Sequence, residues 1–398
     1  MTQFIIGLVI IVLGIILTTV GTFVAQDGWK KINHKNTNTV IENRLLGQGG
    51  VSIEKIEAGG NVNINVINYN GGLPQSPNLE MKRLFENAST LFASGEYIQA
   101  IDGFKKCLKL VNDHKNSGAL NLQIGNSYYH LRKYLKAVEY YSIALKLSRK
   151  AKDHEGEAAA QASIANTYLL RKATSDSRGE NIQKAVKFYT VAIEFYKKDE
   201  YPVQYAEVQN NMGNAYKYLP AATSEERTKN LRKAINCYRA ALEIRRKDEY
   251  PVEYAETQSN LGIAYSHLPA PTSENIRESI KCYQEALEIY KKDEYPVNYA
   301  TTQNSLGAAF ANLPGATSEE RIEHVRKAIE CFREAIEIHK KDEYPQSYCL
   351  AAANMGQLLA LIEDEEACYW LREAYSLKEY LQGQGKYLEE LMEKVCKE

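Results

Sequence analysis

The sequence predicts an all-α fold: a solenoid of helical hairpins carried on a single membrane-spanning helix. Three observations lead there. A phrase that opens at Tyr201-Pro202 restarts at Tyr250-Pro251, Tyr295-Pro296 and, fading, at Tyr344-Pro345. Self-similarity at a period of roughly 45–50 residues marks a stacked array rather than one closed globule. Apolar residues inside each phrase follow a helical period that is interrupted once. Residues 4–24 contain no charged side chain.

The phrase is fullest over 200–248. Pro202 suits a first helical turn, where its missing N–H would be unpaired in any case. Met212, Ala215, Tyr216 and Leu219 then share a helix face. Pro220 ends that helix. Thr223 with Glu226 three residues on is a capping-box pattern that starts a second helix. Ala234, Tyr238, Ala241 and Leu242 fall on one face of it, and it is expected to end near Lys247-Asp248.

These residues resemble the tetratricopeptide repeat family. Its first helix has a small residue and an aromatic three on; its second has Ala, an aromatic four on, and Ala three further. Here those are Gly213, Tyr216, Ala234, Tyr238 and Ala241, then Gly262, Tyr265, Ser279, Tyr283 and Ala286, then Gly307, Phe310, Ala328, Phe332 and Ala335. The strictest copy is Gly125, Tyr128, Ala137, Tyr141 and Ala144. Small residues let helices approach, and aromatics fill the adjoining holes. The resemblance implies a right-handed helical-hairpin solenoid of about seven units. It also implies a concave groove, lined by the first helices, that binds a peptide or protein.

In chain order, residues 1–28 are expected to form the anchor. About twenty helical residues span the roughly 30 Å of a bilayer's hydrocarbon. A cleaved signal peptide is the rival, but it requires a basic start and small residues at its cleavage site. The chain starts Met-Thr-Gln-Phe and has Phe23 two positions before Ala25. Trp29 suits the interface, and Lys30, Lys31 and Lys35 are expected to stay cytoplasmic. The solenoid then faces the cytoplasm. Gly7, Gly14 and Gly21 form a stripe of small residues. Such a stripe either packs helix on helix, giving self-association, or reflects the ordinary composition of spans.

Residues 29–79 form an Asn- and Gly-rich linker. Val51-Ser52-Ile53 and Val62-Asn63-Ile64-Asn65-Val66 alternate in polarity between Gly pairs, which reads as short strands or one hairpin. Two strands alone are marginal in water, so a flexible tether is equally open. The run 64–70 distantly resembles amyloid-signalling motifs, with Asn65 and Ile67 where Gln and Gly are usual. In-register stacking with Asn ladders is the physical basis of such assembly.

The solenoid is expected over 80–398. An insertion, 173–179 in the third unit and Leu-Pro to Thr-Ser-Glu afterwards, is expected mostly to lengthen the second helices. A seventh, degenerate unit begins near Gln346. Lys386–Glu398 reads as a capping helix with Tyr387, Leu388, Leu391 and Val395 on one side.

The chain carries 49 Lys and Arg against 50 Asp and Glu, for a net charge of −1. That balance excludes a strongly basic nucleic-acid binder. Seven cysteines with no CxxC suggest neither zinc nor a disulfide framework, and unpaired thiols fit a reducing compartment. Cys237, Cys282 and Cys331 recur in one slot, as small buried side chains do. The Gly47-Gln48-Gly49-Gly50 run lacks the Lys and Ser/Thr of a phosphate loop. No two of the seven histidines sit four apart, as a helical metal pair requires. No catalytic constellation, cofactor or metal is expected.

In the family, the slot after the small residue of each first helix faces the groove. It holds Asn126, Asn166 and Asn214 here, and four residues before it lie Asn210 and Asn304. An amide offers both donor and acceptor, which suits a peptide backbone. The alternative is that these amides bridge neighbouring helices. The expected function is a membrane-anchored protein-interaction scaffold with these five asparagines as partner-binding residues. The alternative is a signalling or defence receptor whose β-prone linker nucleates assembly.

Overall fold

The computed structural model describes residues 79–170, 175–381 and 385–396. The expected anchor, its glycine stripe and the linker up to residue 78 lie outside the described residues. Among the described residues, no helix is long and apolar enough to cross a membrane.

Fifteen α-helices follow one another in the described residues, with no strand between them. They are α1 Leu79–Ala93, α2 Tyr97–Lys109, α3 His114–His130, α4 Tyr134–Ala151, α5 His154–Leu170 and α6 Ser175–Phe195. Then come α7 Pro202–Tyr218, α8 Ser224–Leu242, α9 Pro251–Ser266, α10 Ser273–Leu287 and α11 Pro296–Asn312. The last are α12 Ser318–Ile338, α13 Pro345–Leu361, α14 Ala367–Tyr375 and α15 Gly385–Val395. The order is that of seven successive helix pairs and a terminal helix, as the sequence predicts.

Local chemistry sets the helix starts. Pro202, Pro251, Pro296 and Pro345 each occupy the first helical turn behind a tyrosine in the cap position. The Thr223 hydroxyl accepts the Glu226 backbone N–H at 3.1 Å, and Thr317 treats Glu320 alike. The reciprocal half of the capping box is displaced by one residue. Glu226 accepts from the Ala222 N–H at 2.8 Å, and Glu320 from the Ala316 N–H at 2.7 Å. In α10 the box closes fully, between Thr272 and Asn275.

Hairpins turn in two ways. Where there is no insertion, the first helix ends on a left-handed residue: Gly95 (φ 81°), Arg132 (φ 57°) or Glu363 (φ 56°). The Lys133 N–H then reaches the Tyr128 carbonyl and the Arg132 N–H that of Tyr129, a Schellman closure. Where Leu-Pro intervenes, Leu219 and Leu313 are extended, because the ring of the following proline excludes the helical conformation. The insertion is shared unevenly. Helices α6 and α12 reach 21 residues and α8 reaches 19, but α10 has 15. In that hairpin the added residues lie mainly in the connection 267–272.

One boundary differs from expectation. Helix α8 ends at Leu242 rather than near Lys247-Asp248. The chain turns after Glu243 and sends the next side chain but one, Arg245, inward, where it is 4% exposed and donates to the Thr257 hydroxyl at 3.0 Å. Tyr196, Tyr290 and His339 fill the same slot and are also buried. Tyr196, Tyr290 and His339 each pack on the tyrosine that caps the next helix, with ring centroids 5.6, 5.7 and 5.1 Å apart.

Contacts divide the chain into two compact units, with the boundary after Pro220. In residues 79–220, α1 to α7 pack in sequence, and first helices of neighbouring hairpins also touch (α3 on α5, α5 on α7). Gly125 lies so close to Tyr141 that a Cβ would come 2.5 Å from the ring. In residues 221–396 the same interlock joins Gly262 to Tyr283, Gly307 to Phe332 and Gly356 to Leu371. These are the small-residue and large-residue pairs that the repeated phrase specifies. Terminal helix α15 buries Leu388 and Leu391 against Leu371, Ala374 and Cys349.

Second helices bury one stripe; in α10 it is Ile276, Ser279, Ile280, Tyr283 and Ala286. First helices bury much more of their circumference. In α5 every residue from Ala158 to Thr167 is buried. A helix apolar or small all round belongs to an interior, and the Ala-rich run 158–165 carries that signal in the sequence.

Candidate functional site

The asparagine slots lie in this interior. Asn126 is 0% exposed, and its Oδ1 accepts the Tyr141 hydroxyl at 2.8 Å. Asn166 is 1% exposed, and its Oδ1 accepts the Tyr189 hydroxyl and the Asn211 amide. Asn210 donates to Asn211 at 3.3 Å, and Asn210 and Asn214 are both 0% exposed. The expected groove-facing ladder of Asn126, Asn166, Asn210 and Asn214 is therefore corrected: these side chains are buried beneath the surface. For Asn126 and Asn166 the cause is the tyrosine of the paired second helix. Its ring fills the hole beside the small residue, and its hydroxyl emerges beside the next slot, where only an acceptor avoids a buried unpaired O–H. Ile263 holds this slot in α9, and there the Tyr283 hydroxyl lies 3.5 Å from Ser266 Oγ instead.

Asn304 behaves differently. It is half-buried on α11, beside Gln303 and Ser305, and its Oδ1, itself buried, makes no hydrogen bond. Gln258 and Ser259 occupy the corresponding half-exposed positions of α9, and Ser259 lies 3.5 Å from Thr302. The two glutamines are held from behind. Gln258 donates to the Tyr254 hydroxyl at 2.9 Å, and Tyr254 donates to Glu285 at 2.9 Å. Gln303 donates to Tyr299 at 3.0 Å, and Tyr299 to Glu334 at 3.1 Å. In these two phrases the second tyrosine thus fixes an amide four residues on.

The same carboxylates close a clasp between consecutive repeats. Lys247 pairs with Glu285 and Glu288, and Lys292 with Glu334 and Glu337. Lys341 pairs with Glu373 at 2.9 Å, and the Tyr348 hydroxyl donates to Glu373 at 3.0 Å. The lysine side-chain hydrogen bonds hold Glu288, Glu337 and Glu373 below the usual carboxylate range. Lys247 lies in the turn that follows α8. Its partners lie a full repeat away, and the signal that could have found them is the recurrence of Lys-Asp-Glu-Tyr-Pro with glutamates at matching offsets.

The cysteines divide sharply. Cys107, Cys237, Cys282, Cys331 and Cys349 are unpaired and buried. Burial pushes the thiols of the last four up to about 12. Cys368 and Cys396 are joined in a disulfide, which corrects the expectation of no disulfide pairing. Among the described residues, no group of His, Cys, Asp and Glu is placed to hold a metal ion. An open depression on residues 221–396 is lined by Thr228, Lys229, Arg232, Lys233 and Asn236. A small cavity of about 20 Å³ beside Ser266, Tyr283, Ser305 and Asn312 has room for about one water.

No family model and no curated protein matches the chain. Solved structures similar to it include the apo form of RapI, at 17% identity over 76% of this chain and 99% of that one, with a TM-score of 0.49. A tetratricopeptide repeat protein from Parabacteroides merdae is 14% identical over 80% of this chain and 100% of that one, TM-score 0.45. The APC/C hetero-tetramer Cut9-Hcn1 matches at 14% identity over 82% of this chain and 58% of that one, TM-score 0.46. The hairpin architecture itself stands on the helix contacts described above.

Proposed function

We propose that the chain is a protein-interaction scaffold, and that it binds an extended segment of a partner protein along the half-exposed amides of α9 and α11. The observation that carries this reading is the pair of Tyr–Gln bonds that hold Gln258 and Gln303 in place. Beside them, Asn304 Oδ1 is an acceptor that nothing in the described residues satisfies. Amides held in one orientation lose little entropy on binding, and a side-chain rotation that brings the buried Asn304 Oδ1 out to a partner N–H removes the cost of an unmade hydrogen bond. The chemistry needed is that of a peptide backbone.

The anchor is part of the proposal. Residues 1–28 would hold the repeats at a membrane, with Lys30 and Lys31 keeping them on the cytoplasmic side. Protease added to intact cells should then leave residues 79–396 undigested, and cleavage of the repeats from outside would reverse the orientation.

Photo-crosslinking in cells tests the binding face. A benzophenone side chain at position 304 should capture a partner, whereas one at Glu337, on the clasp, should not. Asn304→Ala should then weaken that partner's binding about two- to tenfold, the value of one net hydrogen bond, without changing the melting temperature. Capture from position 337 alone would place binding on the second helices and refute the proposed face.

A further inference from the structure

The Cys368–Cys396 pair lies where a covalent bond has mechanical consequences. Cys368 is the second residue of α14, and Cys396 directly follows the last turn of α15. Their Cα atoms are 5.2 Å apart, across a sequence separation of 28. Helix α15 is the lid of the terminal hairpin. It has Leu388 and Leu391 buried beneath it and Glu389, Glu390 and Glu393 exposed above. Under it lie Tyr348, Cys349, Ala353, Leu371 and Ala374. It is 11 residues long, too short to persist as an isolated helix in water. Its order therefore depends on the few apolar side chains it inserts and on the bond at its end.

We propose that Cys368 and Cys396 are a redox modification site, a reversible clip that locks or releases the terminal lid by exchange with a low-molecular-weight disulfide. In the closing direction, the Cys396 thiolate attacks one sulfur of the small disulfide and displaces its other half as a thiol. The Cys368 thiolate then attacks Cys396 Sγ and displaces the second half. The protein loses two electrons and two protons, and one small disulfide becomes two small thiols. Reduction runs the same steps backwards. The geometry makes the site selective. Cys368 and Cys396 are partly exposed, while every unpaired cysteine among the described residues is buried within the packed hairpins. The high-lying thiols of Cys237, Cys282, Cys331 and Cys349 add to that selectivity, because the thiolate is the reacting form.

Releasing the clip frees the end of α15. Closing a loop of this length favours the docked state by roughly a hundredfold or more. The reduced lid opens more often by that factor and uncovers the apolar face of α13 and α14.

The experiment uses the full chain and glutathione redox buffers. Native alkylation of the reduced protein should label Cys368 and Cys396 and spare Cys107, Cys237, Cys282, Cys331 and Cys349. Incubation with glutathione disulfide should protect the two and yield one non-reduced peptide linking 368 to 396. Amides of residues 385–395 should exchange roughly a hundredfold faster in the reduced than in the oxidised wild-type protein. Cys396→Ser should stay at the faster rate in both buffers. Failure of the 368–396 link to form at any glutathione ratio, or equal exchange of the lid in the two forms of the wild-type chain, would overturn the proposal.

Discussion

The Tyr141 hydroxyl donates to Asn126 Oδ1 at 2.8 Å, and both side chains are buried. One bond ties the second helix of a hairpin to its first and consumes the acceptor of a buried amide. Tyr189 and Asn166 repeat it in the next hairpin.

Tyr141→Phe leaves an amide oxygen buried without its donor, and Asn126→Ala leaves a phenol without its acceptor. Each should destabilise α3 and α4 by roughly 1–3 kcal/mol. The double variant should cost less than the sum, because neither orphan remains. Long repeat arrays do not unfold as one unit, so hydrogen exchange of the two helices is the appropriate readout. Strict additivity would show that the two groups are not coupled.

Gly125→Ala tests the interlock. Alanine is the better helix former by about 1 kcal/mol. Here its Cβ would stand 2.5 Å from the Tyr141 ring, and overpacking of this kind costs roughly 1–3 kcal/mol. The net expectation is a lower melting temperature. Adding Tyr141→Phe should not relieve the loss, since the contact is with the ring and not the hydroxyl. A stabilised Gly125→Ala protein would mean that the helices separate easily.

Burial against Phe92, Tyr97 and Tyr129 pushes His130 down to about 4, and burial beside Tyr344 does the same to His339. The neutral form is the one that folds. The unfolded chain therefore binds the proton first, and stability should fall as pH drops from about 6.5 toward 4, by roughly 1–3 kcal/mol per histidine. His339→Tyr installs the residue that Tyr196 and Tyr290 carry in the same slot, and it should flatten the decline. An unchanged pH profile in that variant would remove His339 from the explanation.

The Lys341–Glu373 clasp is partly exposed, so its contribution should stay below about 1 kcal/mol and shrink with salt. Glu373 titrates below its ordinary value when folded, chiefly through its bond to Lys341. Its share of stability is present at neutral pH and is lost as pH falls below the usual carboxylate range. Glu373→Gln should abolish that share while keeping the Tyr348 hydrogen bond. A loss of several kcal/mol would mean that the clasp, rather than the apolar interlock, holds the repeats in register.

Much of the architecture is legible before any coordinates. Proline after tyrosine starts a helix, Leu-Pro stops one, and Thr223 caps the next, because these effects act within a few residues of backbone. The recurrence of Gly125 with Tyr141, or Gly262 with Tyr283, likewise announces which residues meet, since small and large side chains complement each other at a fixed offset. The orientation of the asparagine slots is not legible in this way. It depends on how neighbouring first helices are brought together, a sum of many small packing choices, and a modest rotation decides whether Asn126 meets water or the Tyr141 hydroxyl. Asn304 stays half-exposed under the same sequence rule.

The sequence by itself determined the helices, their order, their caps and the repeating interlock, because each is settled by local stereochemistry or by contacts within one hairpin. Only the tertiary structure decided which polar side chains are buried, which glutamates Lys247 and Lys292 reach a repeat away, and that Cys368 lies beside Cys396. Those relations join residues far apart in the chain, beyond the reach of local stereochemistry; they exist only once the packed helices have set the distances between them.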